Sequence, residues 1–108
     1  MSLSATALLT LGKGVKEFLK EKGIEEGFAT LCELAKECYA GLVRLEAELW
    51  DDVDEEERKY VAVTAIVPAG YPIDQALAEE RTLSRLRVER IPWSAAQHLS
   101  HMVWHAAR

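Results

Sequence analysis

Only two cysteines, Cys32 and Cys38, occur in the 108 residues, too few to staple a fold. Six apart on one predicted helix, they face different sides and cannot bridge each other. Reduced thiols at core positions fit a protein of the cytoplasm, where disulfides are rare. Long apolar runs are missing as well, and no stretch approaches the ~20 residues that a membrane span requires. The opening "MSLSATALLTLGKGVK" has no basic segment ahead of its short apolar run and no small-residue cleavage pattern after it, so no secretory signal is expected. Positive charge is scarce: 13 Lys and Arg stand against 18 Asp and Glu, a net charge of −5. That balance works against a nucleic-acid partner, because affinity for a phosphate backbone is mostly electrostatic. The few aromatic residues are not interleaved with basic ones in the way that stacks bases.

What is present fits one domain over residues 1–108, with 49% apolar and 29% charged residues, ordinary globular usage. A chain of this size buries about two thirds of its unfolded surface, so its core needs no metal as a staple. Phe28, Leu31, Ala35, Cys38, Leu42, Leu45 and Leu49 recur at alternating steps of three and four, the spacing of a heptad seam. Cys32, Tyr39, Val43 and Trp50 make a second stripe about 100° round from the first. A helix apolar over so wide an arc needs two neighbours. Leu8, Leu11, Val15 and Phe18 repeat the pattern upstream, and Gly23 supplies a helix stop. Gly12 and Gly14 weaken that first helix, by about 1 kcal/mol each.

"DDVDEEERKYVAVTAIVPAGYP" admits two readings. As a helix, Asp52 or Asp54 caps it, the glutamates favour its N-terminal dipole, and Pro68 ends it. As a strand, Val61, Val63, Thr64, Ile66 and Val67 are the right residue types. The strand finds no partner except "RLRVERI", whose setting is helical, so the helix is preferred. Pro72 opens a further helix, Pro92 closes it, and Ser94 caps the last, which buries Ala96, Leu99, Val103 and Ala106. The expectation is an all-α bundle of helices over 4–21, 24–50, 54–67, 73–90 and 94–107, with a strand at 60–67 as the alternative. Two broad seams and three tryptophans suggest self-association, most simply a two-fold dimer.

Chemical motifs are sparse. "GKG" at residues 12–14 lacks the spacing of a phosphate-cradling loop. Asp52, Asp54 and Glu56 start like a calcium loop, but Glu57 stands where the turn needs glycine. The carboxylates Glu33 and Glu37, and Glu48, Asp51 and Asp52, lie along one predicted helix and do not converge. Arg81, Arg85, Arg87 and Arg90 form a basic cluster that points to several sides, suited to pairing with the acidic segment 46–57. No serine, cysteine or lysine has a visible base and no cofactor motif is present. His98, His101 and His105 are the candidate metal ligands: in helical register they fall within about 60° of one another, and the last two stand one turn apart. They would still need a ligand from elsewhere.

These features point to a non-enzymatic helical interaction or assembly module, with Leu42, Leu45, Leu49, Trp50, Arg81 and Arg85 as contact residues. A small metal-binding protein or metal-dependent enzyme using the terminal histidines is the alternative, and a nucleic-acid-associated helical protein a further one.

Overall fold

The computed structural model of the chain describes residues 9–51 and 59–107. It is a four-stranded sheet with helices, and the all-helical expectation is wrong. In chain order the elements are β1 (Leu9–Leu11), α1 (Val15–Lys22), α2 (Glu25–Cys38), β2 (Arg44–Asp51), β3 (Lys59–Val67), α3 (Ile73–Arg90), α4 (Trp93–Ala96) and β4 (Leu99–His105). The strands lie in sequence order across the sheet. β1 and β2 are parallel, β2 and β3 antiparallel, β3 and β4 parallel. Each parallel pair needs a long crossover, and α1 with α2, then α3 with α4, supply the two. The chain is thus two β-α-α-β units joined by the β2–β3 pairing.

Parity organises the sheet. The register aligns Leu9, Leu45, Ala65 and Val103 in one row and Leu11, Ala47, Val63 and His101 in the next. Because side chains alternate along a strand, all odd-numbered strand residues share one face. That face meets the helices: Leu45, Ala47, Val61, Val63, Ala65 and Leu99 are buried in one core with Val15, Phe18, Phe28, Leu31 and Leu83. The even-numbered residues form the other face, from Glu46 and Glu48 on β2 to Met102 and Trp104 on β4, with Trp104 64% exposed. Ala62 and Ile66 are buried on this second face but lie outside the helix-side core.

The predicted helix over 24–50 is two elements. α2 ends at Cys38, its last N–H bond running from Tyr39 to Ala35 O, and the chain turns through Gly41 into β2. Leu45 and Leu49, four apart, satisfy a helical seam and a strand face equally, since four residues are two strand periods. The predicted helix over 54–67 is β3 over its described part, which is the strand alternative; its partners are β2 and β4, not "RLRVERI", which is helical in α3. The predicted helix over 94–107 is one helical turn followed by β4. That over 4–21 contains β1 and most of α1. Gly14 is no flaw within a helix: it caps the start of α1 with φ 82°, and Gly23 ends the helix with φ 67°, both left-handed conformations that favour glycine. The helix over 73–90 has the expected bounds. Residues 4–8 and the acidic stretch 52–58, including Asp52, Asp54, Glu56 and Glu57, lie outside the described residues.

α2 and α4 touch at Gly27, where an added Cβ would stand 2.7 Å from the Ala95 Cβ, within reach also of Ile91. No flexible side-chain end is there to yield. Gly27→Ala should therefore destabilise the chain by about 1–3 kcal/mol despite alanine's better helix propensity. Urea titration followed by circular dichroism measures it; a stabilised variant would show that the two helices separate freely.

Candidate functional site

β4 is read wrongly as a helix from sequence, and the histidines change place with it. His101 and His105 sit on the odd face, beneath α3, while His98 precedes the strand with its ring edge-on to Phe18 at a centroid distance of 6.0 Å. Four residues of strand separate His101 from His105, about 13 Å. His105 Nε2 lies 2.9 Å from Tyr71 O. The three rings do not converge, and among the described residues no group of three or more His, Cys, Asp or Glu is arranged to hold a metal.

His101 is instead the centre of a polar cluster under α3. Its side chain is 10% exposed. Arg87 reaches Nδ1 at 2.8 Å and also donates to Ala96 O at 3.0 Å and Leu99 O at 2.6 Å. Ser84 Oγ and Glu80 Oε1 lie 3.1 and 3.2 Å from Nε2, and the serine hydroxyl donates to the same carboxylate oxygen at 3.0 Å. The guanidinium only donates, so Nδ1 holds its lone pair and the neutral ring carries its proton on Nε2, directed at Glu80. Ser84 therefore has no base: the nitrogen beside it is already protonated. A serine, a histidine and a glutamate within hydrogen-bond distance do not make a nucleophile when an arginine fixes the tautomer. Burial and then the Arg87 charge hold the imidazole below its usual pKa, against the opposing pull of Glu80.

Tyr39 lies deeper, 1% exposed, with no hydrogen-bond partner for its hydroxyl among the described residues. Burial, followed by the charge of Glu80, pushes its ionisation far upward, so it stays a neutral phenol. Cys32 is as inert, its thiol pushed up to about 12 mainly by burial.

Of the expected contact residues, Leu45 is core at 1% exposure, and Leu42 and Leu49 pack against that core. Trp50 is exposed on the even face, its indole N–H 3.3 Å from Glu48 Oε2. Arg81 and Arg85 are exposed on α3. Within the described residues the arginine cluster meets the expected acidic segment nowhere; its recorded ion pair is Arg90 with Glu37 at 3.5 Å.

The feature that sequence reasoning missed is the outer edge of β4. Val61 N donates to His98 O at 2.9 Å and Ala106 N to Val67 O at 2.8 Å. In a parallel ladder this fixes the even residues of β4 as those bonded to β3, and turns the N–H and C=O of Leu99, His101, Val103 and His105 outward. Arg87 takes the Leu99 carbonyl; the groups of the other three face away from the sheet. β4 is seven residues long, runs in unbroken register, and contains no lysine, arginine, carboxylate or proline, the devices that normally blunt an edge. α3 overhangs it, with Ile73 66%, Leu77 47% and Val88 80% exposed. At 100° per residue Leu77 and Val88 flank the Glu80–Ser84–Arg87 side that meets His101, on the side away from Ala76 and Leu83, and Ile73 falls within that side at the start of the helix. Apolar side chains thus border the edge above, and Trp104 borders it below. Recognising β4 as a strand was the only route to this edge, and "LSHMVWH" carries it in the alternation of Leu99, His101, Val103 and His105.

Comparison with known proteins gives no match: no family model fits the chain, and neither a curated protein nor a solved structure is significantly similar to it.

Two outcomes follow from the cluster. Tyr39→Phe removes an unpartnered buried hydroxyl and should leave stability unchanged or raise it by up to about 1 kcal/mol; a loss above about 1 kcal/mol in urea titration would reveal a partner. For His101 the folded pKa is depressed, so the unfolded chain binds more protons and stability is lost as the pH falls through about 6.5 toward the lower folded value. Melting points of wild type and His101→Gln, compared between pH 7.5 and 5, should show the wild type falling more steeply. Parallel curves would place the acid sensitivity elsewhere.

Proposed function

We propose that this chain is a non-catalytic interaction module that works by accepting an extended strand along the outer edge of β4. The observation that supports the reading is the edge itself: seven residues without lysine, arginine or a carboxylate, in regular extended geometry, with outward backbone groups at His101, Val103 and His105. Buried or half-buried backbone donors and acceptors are costly to leave unpaired, and strand addition satisfies them in alternation, as in other β-augmentation complexes. The apolar borders formed by α3 and Trp104 would add side-chain contact on both faces of an incoming strand.

The polar cluster fits this role better than a catalytic one. Arg87 and Ser84 direct hydrogen bonds to groups inside the protein, and Arg87 ties α3 to the loop and strand that form the edge. The cluster holds the edge straight rather than presenting a reactive group. No helix among the described residues is long and apolar enough to cross a membrane.

A synthetic peptide of the β4 sequence tests the reading. Titrated into the dilute chain, it should slow amide exchange at His101, Val103 and His105 by about tenfold or more, and leave Ser100, Met102 and Trp104, already bonded to β3, little changed. Val103→Pro, which removes an outward N–H and leaves the β3 ladder intact, should abolish that protection. Unaltered exchange at the three odd positions at millimolar peptide would defeat the edge as a binding site.

A further inference from the structure

We infer that the strand accepted by β4 is the β4 of a second copy of this chain, paired antiparallel about a two-fold axis through Val103. The inference rests on the edge-binding reading above and names its occupant. A strand can pair with itself in this way only if the residues brought opposite one another both turn their backbone groups outward. In the register centred on Val103, His101 meets His105 of the second copy and Val103 meets its own counterpart. All three belong to the outward-facing set, so every one of these pairs exchanges two hydrogen bonds. The strand contains no lysine, arginine, aspartate or glutamate, so a chain of net charge −5 sets no carboxylate against its copy there.

The same register matches the side chains. On the even face it sets Met102 beside Trp104 of the second copy, and the converse pair on the other side of the axis. Trp104, 64% exposed in the single chain, then lies against a thioether across a non-hydrogen-bonded pair, a close and favourable contact. On the odd face, contacts of the Glu80–Arg87 stretch with His101 and of Tyr71 with His105 show that α3 runs antiparallel over β4. Interpolated between those two contacts, Val103 falls under the middle of α3, near the turn containing Leu77. The axis therefore brings Leu77 to the same residue of the second copy, which covers an exposed leucine, and sets Asp74 against Arg81. Charge of opposite sign thus meets above the apolar contact, twice by symmetry. An isologous interface requires one patch to be complementary to itself, and this edge meets that requirement in backbone polarity, apolar contact and charge.

Cysteine cross-linking in a Cys38→Ser background reads the register directly, Cys32 being buried and unreactive. Paired across the axis, the Cα atoms at position 103 stand about 5.5 Å apart, within disulfide range. Val103→Cys should convert to a disulfide dimer under mild oxidation, and a mixture of Met102→Cys and Trp104→Cys chains should give the mixed dimer. Ser100→Cys, about 20 Å from its counterpart in this register, should stay uncross-linked. The unmodified chain should sediment at twice 12.1 kDa, and Trp104→Ala should weaken the dimer by about tenfold or more. A monomer at roughly 100 μM, or cross-linking at position 100 as fast as at 103, would overturn the inference. If the β4 peptide still protects the outward amides in that event, the edge stands as a strand acceptor and only the second copy is excluded as its occupant.

Discussion

Everything in this structure depends on one sheet whose described helices all cover the same side. Four strands share a parity, so a single choice of which alternate residues face the helices decides the environment of every strand side chain. Leu45, Val61, Val63 and Leu99 enter the core by that choice. It also puts the titratable His101 under α3, while Trp50 and Trp104 go to the opposite face. A slip of one residue between β3 and β4 would exchange Val103 for Met102 or Trp104 in the core and turn His101 out of reach of Arg87. The core and the polar cluster are thus two readouts of the same register.

Arg87 reinforces that register from above. A long cation beneath a helix is costly to bury unless its donors are engaged. Here they reach the imidazole and two main-chain carbonyls, one before β4 and one at its first residue. The three acceptors belong to α4, the start of β4 and its third residue. One side chain therefore sets the angle at which the chain leaves α4 and enters the sheet. Charge on the imidazole would place two cations in contact, and so acid loosens the point where β4 is anchored.

The helical regions were legible and the sheet was not, for a physical reason that can be followed residue by residue. α3 lies between two prolines and keeps its bounds, and the glycine stop at Gly23 is where sequence places it. β2 reads "RLEAELWD", in which the run from Arg44 to Leu49 consists of strong helix formers and no residue is β-branched. Its strand conformation comes from tertiary pairing with β3, to which sequence periodicity is blind. With β2 indistinguishable from helix by periodicity, β3 has no visible partner in the sequence, and its β-branched composition alone does not make a strand. β4 failed likewise: the spacing of Leu99, Val103 and Ala106 suits a helix, and Leu99, His101 and Val103 suit a strand. The candidate histidines were found by residue type, but their helical clustering dissolved with the helix. The strand edge required knowing the order of the strands.

The β2–β3 pairing joins the two β-α-α-β units within the sheet through eight residue pairs, from Arg44↔Ile66 to Asp51↔Lys59. Antiparallel neighbours close over a shorter stretch of chain than parallel strands separated by two helices. The middle of the sheet is thus the part with the smallest entropic cost of closure. β4, which enters only after α3 and α4, joins a template that is already formed.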